Sequence, residues 1–163
     1  MFRKMRRFKQ ELPYEDTLKV IERGSHGVLA VLSDDGYPYA VPLSYVYADG
    51  KLYFHCAAQG QKLDAILNSP KASFCVVGQD NVVPEKVTSI YESAISFGRV
   101  RIVEDETEKR KALLFLAGKY FSANGDAKNE EEIADSWSRV RVLALDIEHM
   151  TGKASMDIIN SKN

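Results

Sequence analysis

The sequence has few cysteines, no long apolar run and almost no net charge, and each scarcity excludes a class of protein. Cys56 and Cys75 are the only cysteines in 163 residues, too few for a disulfide framework or a four-cysteine zinc site. No apolar stretch approaches the roughly 20 residues that a membrane-spanning helix needs. Lysine and arginine (22) nearly balance aspartate and glutamate (23), whereas a chain that coats nucleic acid is far more basic.

The remaining composition is typical of a globular protein. Hydrophobic residues make up 45% of the chain and charged residues 28%, which excludes a disordered or collagen-like polymer. The length predicts one domain over residues 1–163. Residues 1–10 are basic but have no apolar signal-peptide core, so we expect a cytoplasmic protein. This arm is either a solvated tail or part of a subunit contact.

Three β-rich runs separated by tight turns are the clearest structural pattern. The runs are Gly27–Leu32, Tyr37–Tyr47 and Lys51–Ala57. Asp34-Asp35-Gly36 lies between the first two and Asp49-Gly50 between the last two. Aspartate followed by glycine is a strong hairpin signal, so this part of the chain is predicted to be a β-meander.

The other periodic segments predict further strands with short helices between them. Helices are expected over 14–23 with Gly24 as a left-handed cap, over 60–68, over 104–120, and after a capping box formed by Asn129 and Glu132. Strands are expected over 71–77, 87–103 with a bulge or bend at Gly98, 139–150 and 153–159, and a loop over 79–85. Six or seven strands predict a mainly β fold, a closed or nearly closed barrel with helices against its outside.

The residue pattern excludes a metal site and a nucleophilic triad. His26, His55 and His149 lie far apart in the sequence. His55 and Cys56 are adjacent on a strand and point to opposite faces, so they form neither a metal pair nor a catalytic dyad. No nucleophile-elbow serine is present.

Residues 38–62 combine three features that point to a bound cofactor. Pro42 interrupts a strand and favours an exposed edge whose backbone is open to a flat heterocycle. The small residues 57–60 lead into a helix with Lys62 in its first turn, which is a plausible phosphate site. Tyrosines are dense on the same hairpins, although strand tyrosines also serve as core or interface residues.

Four segments carry a resemblance to a known family. They are PYAVPLSYVY (38–47), KLYFHCAAQGQKLDAI (51–66), YESAISFGRVRIVED (91–105) and IEHMTGKAS (147–155). Together they resemble the flavin-binding split-barrel family of pyridoxamine 5'-phosphate oxidase-like proteins, and within it the 5-nitroimidazole-resistance nitroreductases. The resemblance implies a split β-barrel and a homodimer with two FMN sites at the subunit interface.

The resemblance also implies residue roles. Lys62 and Gly60, with Cys56 and Ala57 in the segment before them, would hold the FMN phosphate. His55 would lie beside the phosphate and ribityl chain. The polar edge of the ring would be met by Val41, Pro42, Leu43 and Ser44. Ser93 would approach the cofactor from its long strand, and Trp137 would cover the ring.

The implied activity is that of an FMN-dependent oxidoreductase that passes electrons from NAD(P)H to a small oxidant such as a nitro-aromatic. The arginine-rich phosphate site and C-terminal arginine motif of true pyridoxamine phosphate oxidases are missing, which argues against vitamin B6 oxidation. Lys62 is the one clear cation of the phosphate loop, so Arg6, Arg7 or a second subunit would supply others. No catalytic residue is assigned, since His55 fits a general acid or a phosphate-contacting residue.

The alternative is a flavin- or haem-binding protein without redox turnover. Fold resemblance does not fix an activity, and related barrels bind several cofactors. The haem version would use His55 or His149 as the axial ligand.

Overall fold

The structure is a computed structural model that describes residues 2–161. Within that range the strands are β1 (Glu11–Leu12), β2 (His26–Leu32), β3 (Pro38–Ser44), β4 (Val46–Ala48), β5 (Lys51–Ala57), β6 (Lys71–Val83), β7 (Thr88–Ile102) and β8 (Val140–Ala154). The helices are α1 (Tyr14–Arg23), α2 (Gln61–Asn68), α3 (Glu106–Tyr120), α4 (Asp126–Ser136) and α5 (Met156–Ser161). The predicted mainly β fold is confirmed.

One antiparallel sheet contains all of these strands. Its order is β3-β2-β6-β7-β8-β5-β4, and β1 pairs with β8 outside this path. β3 and β4 lie at opposite ends of the order, yet only Tyr45 separates them in the chain. The sheet must therefore curl until its two ends meet, although no ladder of hydrogen bonds joins β3 to β4 or β5 in the described residues. This arrangement is a split barrel, as predicted.

The apolar core fills the barrel and continues outside it in a second cluster. Inside, strand residues such as Leu29, Phe54 and Phe74 pack with residues of α1 and α2 and are fully buried. Outside, Tyr53 and Val142 face α3 and α4. Each large apolar side chain buried in this way contributes roughly 1.5–3 kcal/mol. The expected helices against the barrel wall are thus α3 and α4.

The predicted meander is confirmed except for its middle strand. Gly36 and Gly50 take positive φ angles of 84° and 75° at the two Asp-Gly turns. The run predicted as one strand over 37–47 is broken at Tyr45, because β3 pairs with β2 whereas β4 pairs with β5. Two successive strands with different neighbours cannot be one straight strand.

Two predicted breaks in the later strands are wrong. Residues 79–83 continue β6 instead of forming a loop, because β7 pairs along them from Gln79 opposite Glu92 to Val83 opposite Thr88. β8 is continuous through Ala154, and Met156–Ser161 is helical instead of a strand. Long-range pairing overrides the local turn signals in both places.

Two predicted helix caps are also wrong. α4 begins at Asp126, so Asn129 lies inside the helix, where its buried side chain donates from Nδ2 to the Phe121 carbonyl at 3.2 Å. Gly24 has φ −63° and ψ 136°, an extended conformation instead of a left-handed cap. Glycine is needed there for space, because a Cβ would overlap the Tyr45 hydroxyl and Val76.

Gly98 marks a bulge, as predicted. The register between β7 and β8 shifts between Phe97 opposite His149 and Gly98 opposite Ile147, which leaves Glu148 without a direct partner. A Cβ at Gly98 would overlap the Asp146 carbonyl, so the close approach of the two backbones requires glycine.

Of the helices in residues 2–161, none is both long enough and apolar enough to cross a bilayer.

Candidate functional site

The barrel is open along a cleft between β3 and β5. The β4–β5 ladder pairs Val46 with Tyr53. Continued by two residues, it would place Ser44 opposite His55, but β3 turns away to pair with β2. We call this cleft the split, and its two lips are residues 41–44 and 55–57. The lip on β3 has a strand partner on one side only in the described chain, which leaves backbone groups open to a ligand.

The end of α3 closes one end of the split. The Tyr120 hydroxyl accepts from the Tyr45 backbone N–H at 2.9 Å and lies 2.8 Å from the Tyr45 carbonyl and 2.5 Å from that of Ser25. Lys119 donates to the Gly24 carbonyl at 2.6 Å, and its Nζ lies 4.1 Å from the centre of the Tyr45 ring. Burial lowers the pKa of Lys119. These contacts fix the backbone that follows Ser44.

The start of α2 closes the other end. Gly60 precedes the helix with φ 139° and no side chain caps the first turn, so its amides are free of a side-chain acceptor. Gln61 donates from Nε2 to Ser33 Oγ at 3.1 Å, which joins this turn to the β2–β3 hairpin. The half-buried Lys62 is in the first turn. Free amides, the positive end of the helix dipole and an ammonium group together favour an anion.

Arg141 is the cation that sequence reasoning missed. It lies directly opposite Cys56 on β8 and, with Ala58, Gln59 and Gly60, lines a pocket of about 380 Å³ at the start of α2. Burial raises the pKa of the Cys56 thiol, and the positive charges of Lys62 and Arg141 oppose that shift. Both cations are therefore close to Cys56. Arg141 is 79 positions from Lys62 in the chain, and no local motif marks it.

Arg6 and Arg7 do not supply this charge within one chain. The strand that follows them, β1, pairs with Gly152 and Lys153. Those residues lie at the end of β8 opposite to Arg141, so residues 6–7 and the start of α2 are at different ends of the barrel.

His55 and Cys56 face opposite sides of β5, as predicted. Cys56 is buried in the barrel core. His55 is exposed on the outer side and lines a pocket of about 440 Å³ beneath α3 and α4. Only backbone atoms of Cys56 therefore face the split, whereas the His55 imidazole stands at its edge.

Ser93 and Trp137 are not brought to the split of their own chain. Ser93 is on β7, three strand spacings or about 14 Å from β3 across the sheet. Trp137 follows α4, where its ring lies 4.1 Å from Lys109 Nζ and its carbonyl accepts from that group at 2.7 Å. Val41, Pro42, Leu43, Ser44, His55, Ala57, Gly60 and Lys62 do border the split.

No group of three or more potential metal-ligating side chains occurs among residues 2–161. His149 is stacked on Phe2 with ring centres 4.6 Å apart, and Phe97 is its other aromatic neighbour at 6.2 Å.

Comparisons with known proteins agree with the geometry. A family model described as pyridoxamine 5'-phosphate oxidase matches residues 13–154. The fold is similar to that of a candidate 5-nitroimidazole antibiotic resistance protein from Bacteroides thetaiotaomicron, with TM-score 0.76 and 22% identity over 88% of this chain and 86% of that one.

Two flavoprotein structures are also similar. One is a FAD-binding protein from Mesorhizobium loti, with TM-score 0.66 and 22% identity over 90% of this chain and 97% of that one. The other is a FAD- and haem-binding protein from Mycobacterium smegmatis, with TM-score 0.70 and 22% identity over 90% of this chain and 73% of that one. At these identities the likeness shows the fold. No curated protein sequence matches this chain.

Proposed function

This chain belongs to the pyridoxamine 5'-phosphate oxidase family, and we propose that it is a flavoprotein that holds FMN in the split of its barrel. One juxtaposition carries the proposal: the edge of β3 is unpaired on one side, the uncapped start of α2 follows the β5 lip, and Lys62 and Arg141 both lie near Cys56 of that lip. A flavin mononucleotide needs a hydrogen-bonding partner for its ring edge and an anion site for its phosphate, and these features would supply both.

The phosphate would lie at the start of α2. Lys62 and Arg141 would neutralise its two charges, and the free amides after Gly60 would donate to its oxygens. The sequence alone offered one clear cation for this role. Arg141 supplies the second from the same chain, without a contribution from the basic arm.

The ring edge would lie along residues 41–44. Val41 and Leu43 pack against the barrel core, so Pro42 and Ser44 alternate to the outer face. Pro42 has no N–H, so any N–H donors that this lip offers on its unpaired side come from residues 41, 43 and 44. Such donors would suit the carbonyl oxygens of a flavin ring, and a backbone carbonyl would suit its single ring N–H.

When bound, the flavin supplies the redox chemistry, in which a hydride from NAD(P)H is taken up and electrons pass to a small oxidant such as a nitro-aromatic. The protein's part is to hold and orient the reactants. His55 stands between the split and the pocket beneath α3 and α4, and at least one of its ring nitrogens carries a proton for a hydrogen bond. No side chain needs to act as a nucleophile.

We further propose that the active form is a homodimer. Ser93 and Trp137 lie away from the split of their own chain, so they reach a flavin only across a subunit interface. The basic arm, residues 1–10, would then serve as part of that contact.

A flavin- or haem-binding protein without turnover is the second candidate. The similar protein from Mycobacterium smegmatis is described as binding both FAD and haem. His55, exposed beside a pocket, fits an axial ligand better than His149, whose ring is covered by Phe2.

The test is the visible spectrum of the purified protein together with identification of the released cofactor. We expect bound FMN, and Lys62→Ala and Arg141→Ala should each weaken FMN binding by about tenfold, since each removes a charge-assisted hydrogen bond. Thermal unfolding of the apoproteins should change little. Lys71→Ala, at an exposed position on β6, is the matched control.

A haem Soret band would favour the second candidate. A colourless protein that takes up no added FMN would contradict both. If Lys62→Ala, Arg141→Ala and the control Lys71→Ala weaken FMN binding equally, Lys62 and Arg141 contribute only to the net charge of the protein and do not contact the phosphate.

A further inference from the structure

A second cavity adjoins the split on its outer side. It lies between α3, α4 and the wall formed by β5 and β8, and we call it the helical pocket. Its volume of about 440 Å³ is in the range of small-molecule sites. The apolar lining comprises Leu113, Leu116, Ala117, Phe121, Ile133 and Val140.

The polar groups of the helical pocket offer hydrogen bonds without net charge. Lys128 and Glu132 are one helical turn apart at the rim and cancel each other's charge. The His55 ring has no hydrogen-bond partner among residues 2–161, although it forms part of the wall. An imidazole N–H is a donor in either tautomer.

Asn129 adds a second polar group from a buried position. Its amide gives one N–H to the Phe121 carbonyl, which leaves a second N–H and the oxygen without a partner in the described chain. Ser136 is already committed to the Glu132 carbonyl at 2.7 Å. His55 in the wall and the buried Asn129 therefore have unused donors, as do Asn124 and Lys128 in the exposed part of the lining, and they suit a ligand that carries acceptor atoms.

The helical pocket and the split share two boundaries. His55 belongs to the lip of the split and to the wall of the pocket. Ala117 and Phe121 line the pocket, and Tyr120 beside them holds Tyr45, the residue that follows the β3 lip. A molecule in the pocket therefore lies next to whatever occupies the split.

We propose that the helical pocket binds the oxidant, and that this oxidant is a planar, uncharged aromatic compound with carbonyl or nitro oxygens. The apolar lining takes the ring, and the donors of His55 and Asn129 take the oxygens. The cancelling charges at the rim give no advantage to an ion. That the bound compound receives electrons rests on the proposed flavin in the split.

The test uses 1,4-naphthoquinone as the probe and the purified protein with its own cofactor content. Ala117→Leu fills the pocket from α3, and calorimetric titration should show affinity at least about tenfold weaker, since even one methylene of misfit can change binding by that factor. Ala134→Leu, on the exposed side of α4, should bind as the wild type does. Flavin content should be the same in all three proteins.

Circular dichroism checks that Ala117→Leu folds, and Ser136→Leu at the rim takes its place if it does not. Unchanged affinity in the folded pocket variants would overturn the proposal. Parallel loss of flavin and naphthoquinone would overturn it as well, because the pocket would then be part of the flavin site. A protein without flavin that still binds the probe through this pocket would refute the flavin function and support the binding site.

Discussion

The Tyr120 hydroxyl is hydrogen-bonded to the backbone of Tyr45. Tyr45 is the single residue between β3 and β4, which lie at opposite ends of the strand order. The Tyr120 hydroxyl accepts from the N–H of Tyr45 and lies within hydrogen-bond distance of the carbonyls of Tyr45 and Ser25. A hydroxyl has one proton, so it donates to one of these carbonyls at a time. The Tyr45 side chain is anchored separately, since its own hydroxyl donates to the Ile21 carbonyl.

Tyr120→Phe should lower the free energy of unfolding by about 1–3 kcal/mol, because the partly buried N–H of Tyr45 loses its acceptor. It should also weaken FMN binding, since the β3 lip is no longer fixed at this end. Urea unfolding and FMN titration measure the two effects.

Tyr37→Phe is the control, because Tyr37 is 74% exposed and its hydroxyl has no hydrogen-bond partner among residues 2–161. If Tyr120→Phe and Tyr37→Phe have the same free energy of unfolding and the same FMN affinity, the Tyr120 hydroxyl does not fix the β3 lip.

At the scale of elements, α3 is fastened to the barrel by an ionic network at its first turns. Arg101 on β7 donates to both carboxylate oxygens of Glu108 at 3.0 and 2.7 Å and to Asp146 at 3.0 Å. The Tyr53 hydroxyl donates to Glu108 at 3.0 Å. Hydrogen bonds from Arg101 lower the pKa of Glu108, and burial and then Glu108 raise the pKa of Tyr53 to about 12.

Glu108→Gln should reduce the free energy of unfolding at pH 7 by about 1 kcal/mol, a modest value for a partly exposed pair. Because the pKa of Glu108 is lowered on folding, its stabilisation is present above the ordinary value of 4.5 and is lost as the pH falls through the folded pKa. The difference between wild type and variant should therefore shrink below pH 4.5.

Denaturant unfolding from pH 7 to pH 3 measures this difference. Glu104→Gln, a change to an exposed carboxylate just before α3, should show a much smaller difference throughout. If the difference in free energy of unfolding between the wild type and Glu108→Gln is constant from pH 7 to pH 3, the charge of the Glu108 carboxylate does not stabilise the contact of α3 with the barrel.

At the scale of the whole molecule, the proposed homodimer needs an interface, and we expect it on the outer face of the sheet. Val28, Cys75 and Ile95 are directly opposite one another on β2, β6 and β7 and form one row of this face. Val77 on the same face is 62% exposed. Exposed apolar rows on a sheet are typical of an interface.

We expect the flavin-loaded protein to have a solution mass of twice 18.3 kDa. Val77→Lys should weaken the dimer by about a hundredfold, because a two-fold interface carries the change twice, and should lower flavin content with it. Sedimentation at micromolar concentration and the flavin absorbance measure both.

Val87→Lys is the matched control, because it adds the same charge at the tip of the β6–β7 hairpin, where the side chain is 94% exposed. It should leave the dimer and the flavin content unchanged. A wild-type monomer that retains its flavin would contradict the proposal of a site shared between subunits.

Local chemistry was enough to predict much of this protein. The Asp-Gly turns fix the ends of β3, β4 and β5, because their positive φ angles suit glycine. Apolar spacing predicted α1 and α2. The acidic cluster at residues 104–108 predicted α3, and it includes the cap of that helix, since Asp105 accepts from the Glu108 N–H at 2.7 Å. Lys62 and residues 41–44 could be named as candidate site residues from the sequence, because each lies within one short segment.

Tertiary structure decided what depends on pairing between distant segments. The length of β6 follows from its ladder with β7, and the break at Tyr45 follows from the different neighbours of β3 and β4. Arg141 joins Lys62 only because β8 lies beside β5 in a register that places it opposite Cys56. A sequence records the chemistry of each side chain, whereas register and curvature, set by the whole core, determine which side chains meet.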